Sequence, residues 1–304
     1  MFKKTCIVIS GPTAAGKTTL SLRLAEHFKT DIISADSRQC YRELNIGVAK
    51  PDPSALKKIR HYFINTHSIH DEMNAGRFEA YALQAAAEIF EQHDTAIMVG
   101  GTGLYIKAFC KGMDDIPEIK EAVRQWVRQQ YAVAGISWLR EMLQQHDPVF
   151  YSKGEMRNPQ RMMRALEVKL SLGVSVLELH SRPQKQRGFS IINIGVGLPR
   201  KDIYHNVNKR VDDMMEEGLL EEAAALYSYR HLNALQTVGY TELFDYMDGK
   251  CTLQEAVDAI KKNTRHYAKR QLTWFKKDKS IHWFAPGDVK NIIDRIETQI
   301  NTKQ

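Results

Sequence analysis

Gly11-Pro12-Thr13-Ala14-Ala15-Gly16-Lys17-Thr18, directly behind the apolar run Cys6-Ile7-Val8-Ile9, reads as a phosphate-binding loop joining a strand to a helix. Gly11 and Gly16 permit the tight turn that points successive backbone N–H groups inward. Lys17 adds a cation, and the hydroxyl of Thr18 stands where Mg²⁺ is held. The dipole of the following helix favours an anion at the same place. That helix is announced by Leu20, Leu22, Leu24, Ala25 and Phe28, which include an i, i+4 row, and the strand by β-branched residues. A glycine-rich turn opening an ordinary helix would explain the glycines, but not strand, loop and helix in this order.

Working outward, the strand–helix alternation continues. Asp31-Ile32-Ile33-Ser34-Ala35-Asp36 reads as a second strand with an acid at its carboxyl end, 37–53 as a loop-rich connection, and 78–92 as an alanine-rich helix. A third strand over 95–99 runs into Gly100-Gly101-Thr102-Gly103-Leu104-Tyr105. Such alternation implies an α/β fold, a P-loop NTPase-like parallel sheet flanked by helices. Near Gly112 the character changes: Asp114, Asp115 and Pro117 interrupt the pattern, and the chain turns helical and polar up to Ser181-Arg182-Pro183-Gln184-Lys185-Gln186-Arg187-Gly188. The division expected is a catalytic core of 1–112 and 189–304 carrying a helical insertion domain of 113–188. A strand over 189–196, helices from Lys201 onward, a short strand at 281–284 and a last helix from Asp288 complete the core.

At 304 residues the chain can bury a full α/β core and carry a second small module. With 43% hydrophobic and 26% charged residues it is composed like a globular protein in water, and no apolar run approaches a membrane span. Met1-Phe2-Lys3-Lys4 resembles the charged start of a signal peptide, but the apolar stretch behind it is short and runs into the phosphate loop, so it reads as strand one. Cys6, Cys40, Cys110 and Cys251 lie far apart with no Cys-x-x-Cys pair, which indicates neither a disulfide framework nor a zinc site and fits a reducing cytoplasm.

The net charge of +7 is localised. Residues 261–280 hold Lys261, Lys262, Arg265, Lys269, Arg270, Lys276, Lys277 and Lys279 against Asp278 alone, and residues 153–187 hold eight basic residues against Glu155, Glu167 and Glu178. Two basic segments in an otherwise balanced chain point to a polyanion, commonly nucleic acid, although either one alone also fits a solvated helix face.

Several side chains outside the loop are candidates for chemistry. Asp36 stands at a strand end on the edge where ligands gather, as a base or as a holder of Mg²⁺ through water. Thr102 offers a hydroxyl at that edge, among glycines that bring backbone close to something bulky or make a tight turn. Asn158-Pro159 reads as an N-cap and first-turn proline. The helix it opens carries Arg161 and Arg164 on one face, for phosphates or bases, and Met162, Leu166 and Leu170 on an apolar face suited to a core. Arg210 fits either a phosphate clamp or an ordinary surface position.

Together these segments resemble the tRNA dimethylallyltransferases, also called tRNA isopentenyltransferases, over nearly the whole chain. Besides the loop, the likeness rests on Ser34-Ala35-Asp36-Ser37 with Tyr41, Asn45-Ile46-Gly47-Val48-Ala49-Lys50-Pro51 and Gly100-Gly101-Thr102-Gly103-Leu104-Tyr105. It extends to Asn158-Pro159-Gln160-Arg161, Arg210, Val238-Gly239-Tyr240, and Thr264-Arg265 with Lys269-Arg270-Gln271-Leu272-Thr273-Trp274. The bacterial type fits, because the cysteines of the zinc-finger tail often added in eukaryotic relatives are missing. Arg38 and Cys40 depart from the small or apolar residues expected after Ser37.

The resemblance implies transfer of a dimethylallyl group from dimethylallyl diphosphate to the exocyclic N6 of the adenosine 3′ to the anticodon, with release of diphosphate. Gly11, Pro12, Thr13, Ala14, Ala15, Gly16, Lys17 and Thr18 would then hold the donor's diphosphate in place of ATP, with Mg²⁺ on Thr18. Asp36, Lys17, Thr13 and Arg210 would carry catalysis. Contacts to the tRNA anticodon stem-loop would fall on Asp36, Ser37, Arg38, Gln39, Thr102, Gln160, Arg161, Met162, Met163 and Arg164, joined by Lys269 and Arg270 of the basic segment. A cytoplasmic monomer with no membrane partner is the expectation. Two rival readings of the same loop are a small-molecule kinase and a nucleic-acid-stimulated ATPase. Against both, the strand over 95–99 ends in Gly-Gly where a metal-holding aspartate is expected.

Overall fold

A computed structural model describes residues 4–114, 117–179 and 185–302. Met1, Phe2, Lys3, Asp115 and Ser181-Arg182-Pro183-Gln184 lie outside the described residues. Six strands, β1 (Thr5–Ser10), β2 (Ile32–Ala35), β3 (His61–Tyr62), β4 (Thr95–Gly100), β5 (Ser190–Val196) and β6 (His282–Phe284), form one sheet in the order β3-β2-β4-β1-β5-β6. Every pairing is parallel. Strands buried on both faces read as continuous apolar runs, and β1, flanked by β4 and β5, is buried at all six residues.

The core is built from Ile7 and Ile9 of β1, Ile97 of β4 and Ile194 of β5. Against them pack Leu20 and Leu24 of the helix Lys17–Phe28 and Ile292 and Ile296 of the helix Val289–Thr302. Because the strands are parallel, Ser10, Ala35 and Gly100 end at one level: Ser10 pairs with Gly100 and Gly100 with Ala35. The three connections that follow them start from the same sheet edge, where open α/β sheets bind ligands.

Two elements escape the sequence reading. The helix Pro53–Lys58, N-capped by Asp52, and the two-residue edge strand β3 fall in the stretch between the loop over 37–53 and the helix over 78–92 to which the sequence reading assigns no element, both being too short to show a period. The glycine-rich segment 100–105, left open as a tight turn or a close approach, also runs into the helix Gly103–Lys111.

The chain divides into two compact units, Met1–Lys111 with Gln186–Gln304, and Gly112–Lys185. The insertion thus runs over 112–185, where composition places it at 113–188, and Arg187 accounts for the earlier return. Its guanidinium donates to the carbonyls of Ala108 and Phe109 and pairs with Glu79 at 2.7 Å, all within the core unit. Within the insertion, the helix Glu121–His146 is broken at Gly135 (φ 70°), and Leu139, Leu143, Phe150, Met162 and Leu166 form a separate apolar core.

Candidate active site

The phosphate loop is held open by its own backbone. Ala14 (φ 61°) and Gly16 (φ 86°) occupy the left-handed region, and no side chain caps the helix that starts at Lys17, so its first amides stay available to an anion. A Cβ on Gly11 would come within 2.3 Å of the Val196 carbonyl oxygen, so only glycine lets β1 turn there beside β5. Lys17 Nζ donates to the Pro12 carbonyl at 2.6 Å, folding the ammonium over the loop.

Two distant helices brace this loop. From the helix Arg200–Glu216, Asn206 Nδ2 donates to the Ala14 carbonyl at 3.2 Å, and one turn later Arg210 Nη1 donates to Thr13 Oγ1 at 3.1 Å. Spacing alone allowed a surface arginine; the fold instead brings Arg210 to Thr13. From the helix Leu253–Phe275, Gln271 accepts the Thr13 N–H at 2.8 Å and donates to the Gly101 carbonyl at 2.9 Å, tying the β1 connection to the β4 connection.

The second arm of the site follows β2. Asp36 Oδ1 accepts the N–H groups of Arg38 (2.9 Å) and Gln39 (3.4 Å), a local turn that fixes the carboxylate, and Oδ2 accepts no such bond among the described residues. Thr102 Oγ1 accepts the Ser37 N–H at 3.1 Å while the Thr102 N–H donates to Ala35 O at 3.2 Å. What presses on the Gly-Gly-Thr-Gly segment is the protein itself. A Cβ on Gly100, Gly101 or Gly103 would fall within 2.2–2.3 Å of Ala35 O, Gln271 Nε2 or the Trp274 ring.

Thr13, Lys17, Thr18, Asp36, Arg38 and Arg210 line one cleft of about 310 Å³. Burial, then the neighbouring Arg210 charge, pulls the Lys17 ammonium down to about 7, against a smaller opposing pull from Asp36. Arg210 is likewise lowered by burial, with Asp213 and Asp36 opposing. A lysine held this far down beside a guanidinium that stays charged makes a cationic spot suited to an anion. Tyr267, on the cleft wall, is pushed up to about 12 by burial and by the Asp36 charge.

Other sites named from the sequence have mixed placements. Gln39 lines the cleft, but its amide is spent inside the protein, donating to the carbonyls of Val48 (3.2 Å) and Ala49 (3.0 Å) and accepting from Ser34 (3.2 Å). Cys40 is fully buried, whereas Arg38 faces the cleft. In the insertion, Asn158 caps the helix Pro159–Leu172, and Gln160 and Arg161 are exposed. Arg164 is half-buried and lies 3.7 Å from Glu167. Met162 and Met163 correct the reading: at 0% and 6% exposure they are turned into the insertion core, so their side chains are not available to RNA. In the basic helix, Lys261 pairs with Asp212 and Arg265 with Asn208, while Lys269 and Arg270 are exposed.

No cluster of three or more His, Cys, Asp or Glu side chains suited to a metal exists among the described residues. Mg²⁺ on a phosphorylated substrate takes most of its ligands from phosphate and water, so the exposed Thr18 at the helix start fits that role with little help. Gln271 is the residue that sequence reasoning quoted but did not assign. Its signal was the polar position buried in an otherwise apolar row, Ala256, Ile260, Ala268 and Phe275.

An amide-lined loop at the carboxyl edge of a parallel sheet, with two cationic side chains and a carboxylate in one cleft, defines a protein of the P-loop NTPase-like class. The family model described as IPP transferase matches residues 39–278, and the chain belongs to that family. The tRNA dimethylallyltransferase 1 of Bacteroides fragilis is 43% identical over 300 residues, covering 99% of this chain and 100% of that protein. The tRNA dimethylallyltransferase of Christiangramia forsetii is 48% identical, covering 97% and 98%. Among solved structures, a tRNA isopentenylpyrophosphate transferase from Bacillus halodurans superposes with a TM-score of 0.74 at 33% identity over 99% of this chain and 98% of that one. A eukaryotic dimethylallyltransferase acting on tRNA shares the fold (TM-score 0.79, 24% identity, 94% and 75% covered).

Proposed function

We propose that this protein transfers the dimethylallyl group of dimethylallyl diphosphate to N6 of the adenosine 3′ to the anticodon in tRNA, releasing diphosphate. The observation that carries the reading is the sharing of one cleft by the anion-seeking pair Lys17 and Arg210 and the oriented carboxylate of Asp36. Against a kinase or an ATPase, either of which could use such a carboxylate to hold Mg²⁺ through water, β4 ends in glycines where a metal-holding aspartate is expected.

The donor's diphosphate occupies the loop amides, with Lys17 and the Thr13-held Arg210 neutralising its oxygens. As the allylic C–O bond breaks, its electron pair leaves with the diphosphate, where charge is greatest and these donors act most strongly. The N6 lone pair forms the new C–N bond. Once that bond forms, N6 becomes acidic and Asp36 accepts its proton, which passes on to solvent. Mg²⁺ held by Thr18, when bound, supplies further charge neutralisation on the leaving diphosphate. The adenine must first leave its stack, at a cost of a few kcal/mol that a single-stranded loop keeps small.

The acceptor is held by Ser37 and Arg38, which line the cleft, and by Thr102, whose hydroxyl accepts the Ser37 N–H. Lys269 and Arg270 on the basic helix, with Gln160, Arg161 and Arg164 of the insertion, supply chiefly phosphate contacts. No helix among the described residues is long and apolar enough to cross a membrane, and the reading places the enzyme in the cytoplasm as a monomer. Incubation with dimethylallyl diphosphate and unmodified tRNA tests it: diphosphate release and an adenosine heavier by one C5H8 unit are expected. ATP turnover with unaltered RNA would overturn it.

A further inference from the structure

One carboxylate in the core unit collects four donors and touches none of the residues assigned above. Glu222, in the helix Leu219–Leu226, accepts the N–H groups of Asn45 (3.0 Å) and Ile46 (2.9 Å) on Oε2, and that of Gly47 (3.0 Å) on Oε1. Oε1 also accepts the hydroxyl of the fully buried Tyr240 at 2.6 Å. Three successive amides on one carboxylate pin the short 3₁₀ turn Ile46–Val48 at its start, and the two bonds from the Gln39 amide to Val48 O and Ala49 O pin its end. The fit is tight: a Cβ on Gly47 would lie 2.6 Å from the Tyr240 ring. The turn presents Val48 and Ala49 to the cleft, whose remaining apolar lining includes Ile64, Met214 and Ile260. None of these groups can hold a phosphate, and together they offer a dry wall to a hydrocarbon.

We propose that Glu222 is a positioning residue that fixes the turn of residues 45–49 as the apolar wall against which the donor's isoprenoid chain packs, so that the cleft admits a short chain and excludes a longer one. This rests on the prenyl-transfer reading above. A carboxylate suits the task because all four partners are donors. The isosteric amide would turn its NH₂ toward at least one of the three backbone N–H groups, two of them half-buried, and leave that donor without its partner. Loss of the clamp loosens the hydrocarbon wall while leaving the diphosphate loop, braced by Asn206, Arg210 and Gln271, intact.

The test uses the full chain with unmodified tRNA, dimethylallyl diphosphate, its C10 homologue geranyl diphosphate, and inorganic pyrophosphate as inhibitor. In Glu222→Gln, KM for dimethylallyl diphosphate should rise about tenfold, the size expected for losing bonds to a charged acceptor. Meanwhile kcat and the pyrophosphate inhibition constant should hold, and the C10 donor should gain relative to the C5 donor. Gly47→Ala, which displaces the same turn from the Tyr240 side, should give the same signature, and the double variant should fall short of the product of the two effects. Should Glu222→Gln not fold, Gly47→Ala decides alone. Unchanged KM and donor ratio, or an equal rise in the pyrophosphate constant, overturns the inference while prenyl transfer by the wild type stands. Wild-type enzyme that transfers no prenyl group would overturn both.

Discussion

At the residue scale, Asp36 and Lys17 do different work from one cleft and can be separated by measurement. Asp36→Ala should fold and bind tRNA while losing turnover by roughly 10²- to 10⁴-fold, the usual worth of a positioned base; wild-type turnover would remove Asp36 from the mechanism. Lys17, depressed from 10.5 to about 7 by burial and by Arg210, is neutral over much of the alkaline range in the free protein. Between those two values the unfolded chain binds the extra proton, so this group lets stability rise with pH there. For ligands the sign reverses. A diphosphate restores the charge, so binding of inorganic pyrophosphate at pH 8 should take up a proton and weaken as pH rises above 7, visible by calorimetry in buffers of differing ionisation enthalpy. Lys17→Arg, permanently charged, should abolish the uptake. Both residues were legible in the sequence because strand end and loop motif are local patterns. The brace was not, since Gln271 meets Thr13 across 258 positions of chain and only the folded sheet edge joins them.

At the element scale, the helix Leu253–Phe275 is amphipathic in two senses. Its buried row includes Gln271 at the phosphate loop, and its outer face carries Lys269, Arg270 and the exposed Trp274. Charge counting could not separate these faces, because Lys261 and Arg265 count equally with Lys269 yet are spent on Asp212 and Asn208. Replacing Lys269 and Arg270 by Ala should therefore weaken tRNA binding and reduce the slope of log K against log salt by about one for each phosphate no longer neutralised. Pyrophosphate affinity should not change. An unaltered slope would make this a solvated helix face and nothing more. The glycines around Thr102 allowed either a tight turn or a close approach of something bulky, and the second holds: Ala35, Gln271 and Trp274 leave no room for a Cβ. The glycine run signals the approach locally, but which groups approach is set by residues distant in the chain, Gln271 and Trp274 among them.

At the scale of the whole molecule, composition expects an insertion over 113–188 because polar helices interrupt a run of buried strands, and the compact unit spans 112–185, Arg187 being held by the core unit. The two units have separate apolar cores, one around Ile9, Leu20 and Ile194 and one around Leu139, Leu143 and Leu166. Damage to one core should then be felt differently by the two substrates. Leu166 is fully buried and faces the same interior as Met162, so Leu166→Ala leaves a cavity costing about 2–5 kcal/mol in the insertion. Hydrogen exchange should quicken over residues 121–172 while β1, β4 and β5 keep their protection, because opening is confined to the unit whose packing is damaged. Pyrophosphate, which needs only the loop and its braces, should bind as before. tRNA should bind more weakly, since Arg161 and Arg164 are presented by the helix that Leu166 anchors. Exchange that quickens equally in both units would mean that the molecule unfolds as a single body, and an unchanged tRNA affinity would remove the insertion from the RNA-binding surface.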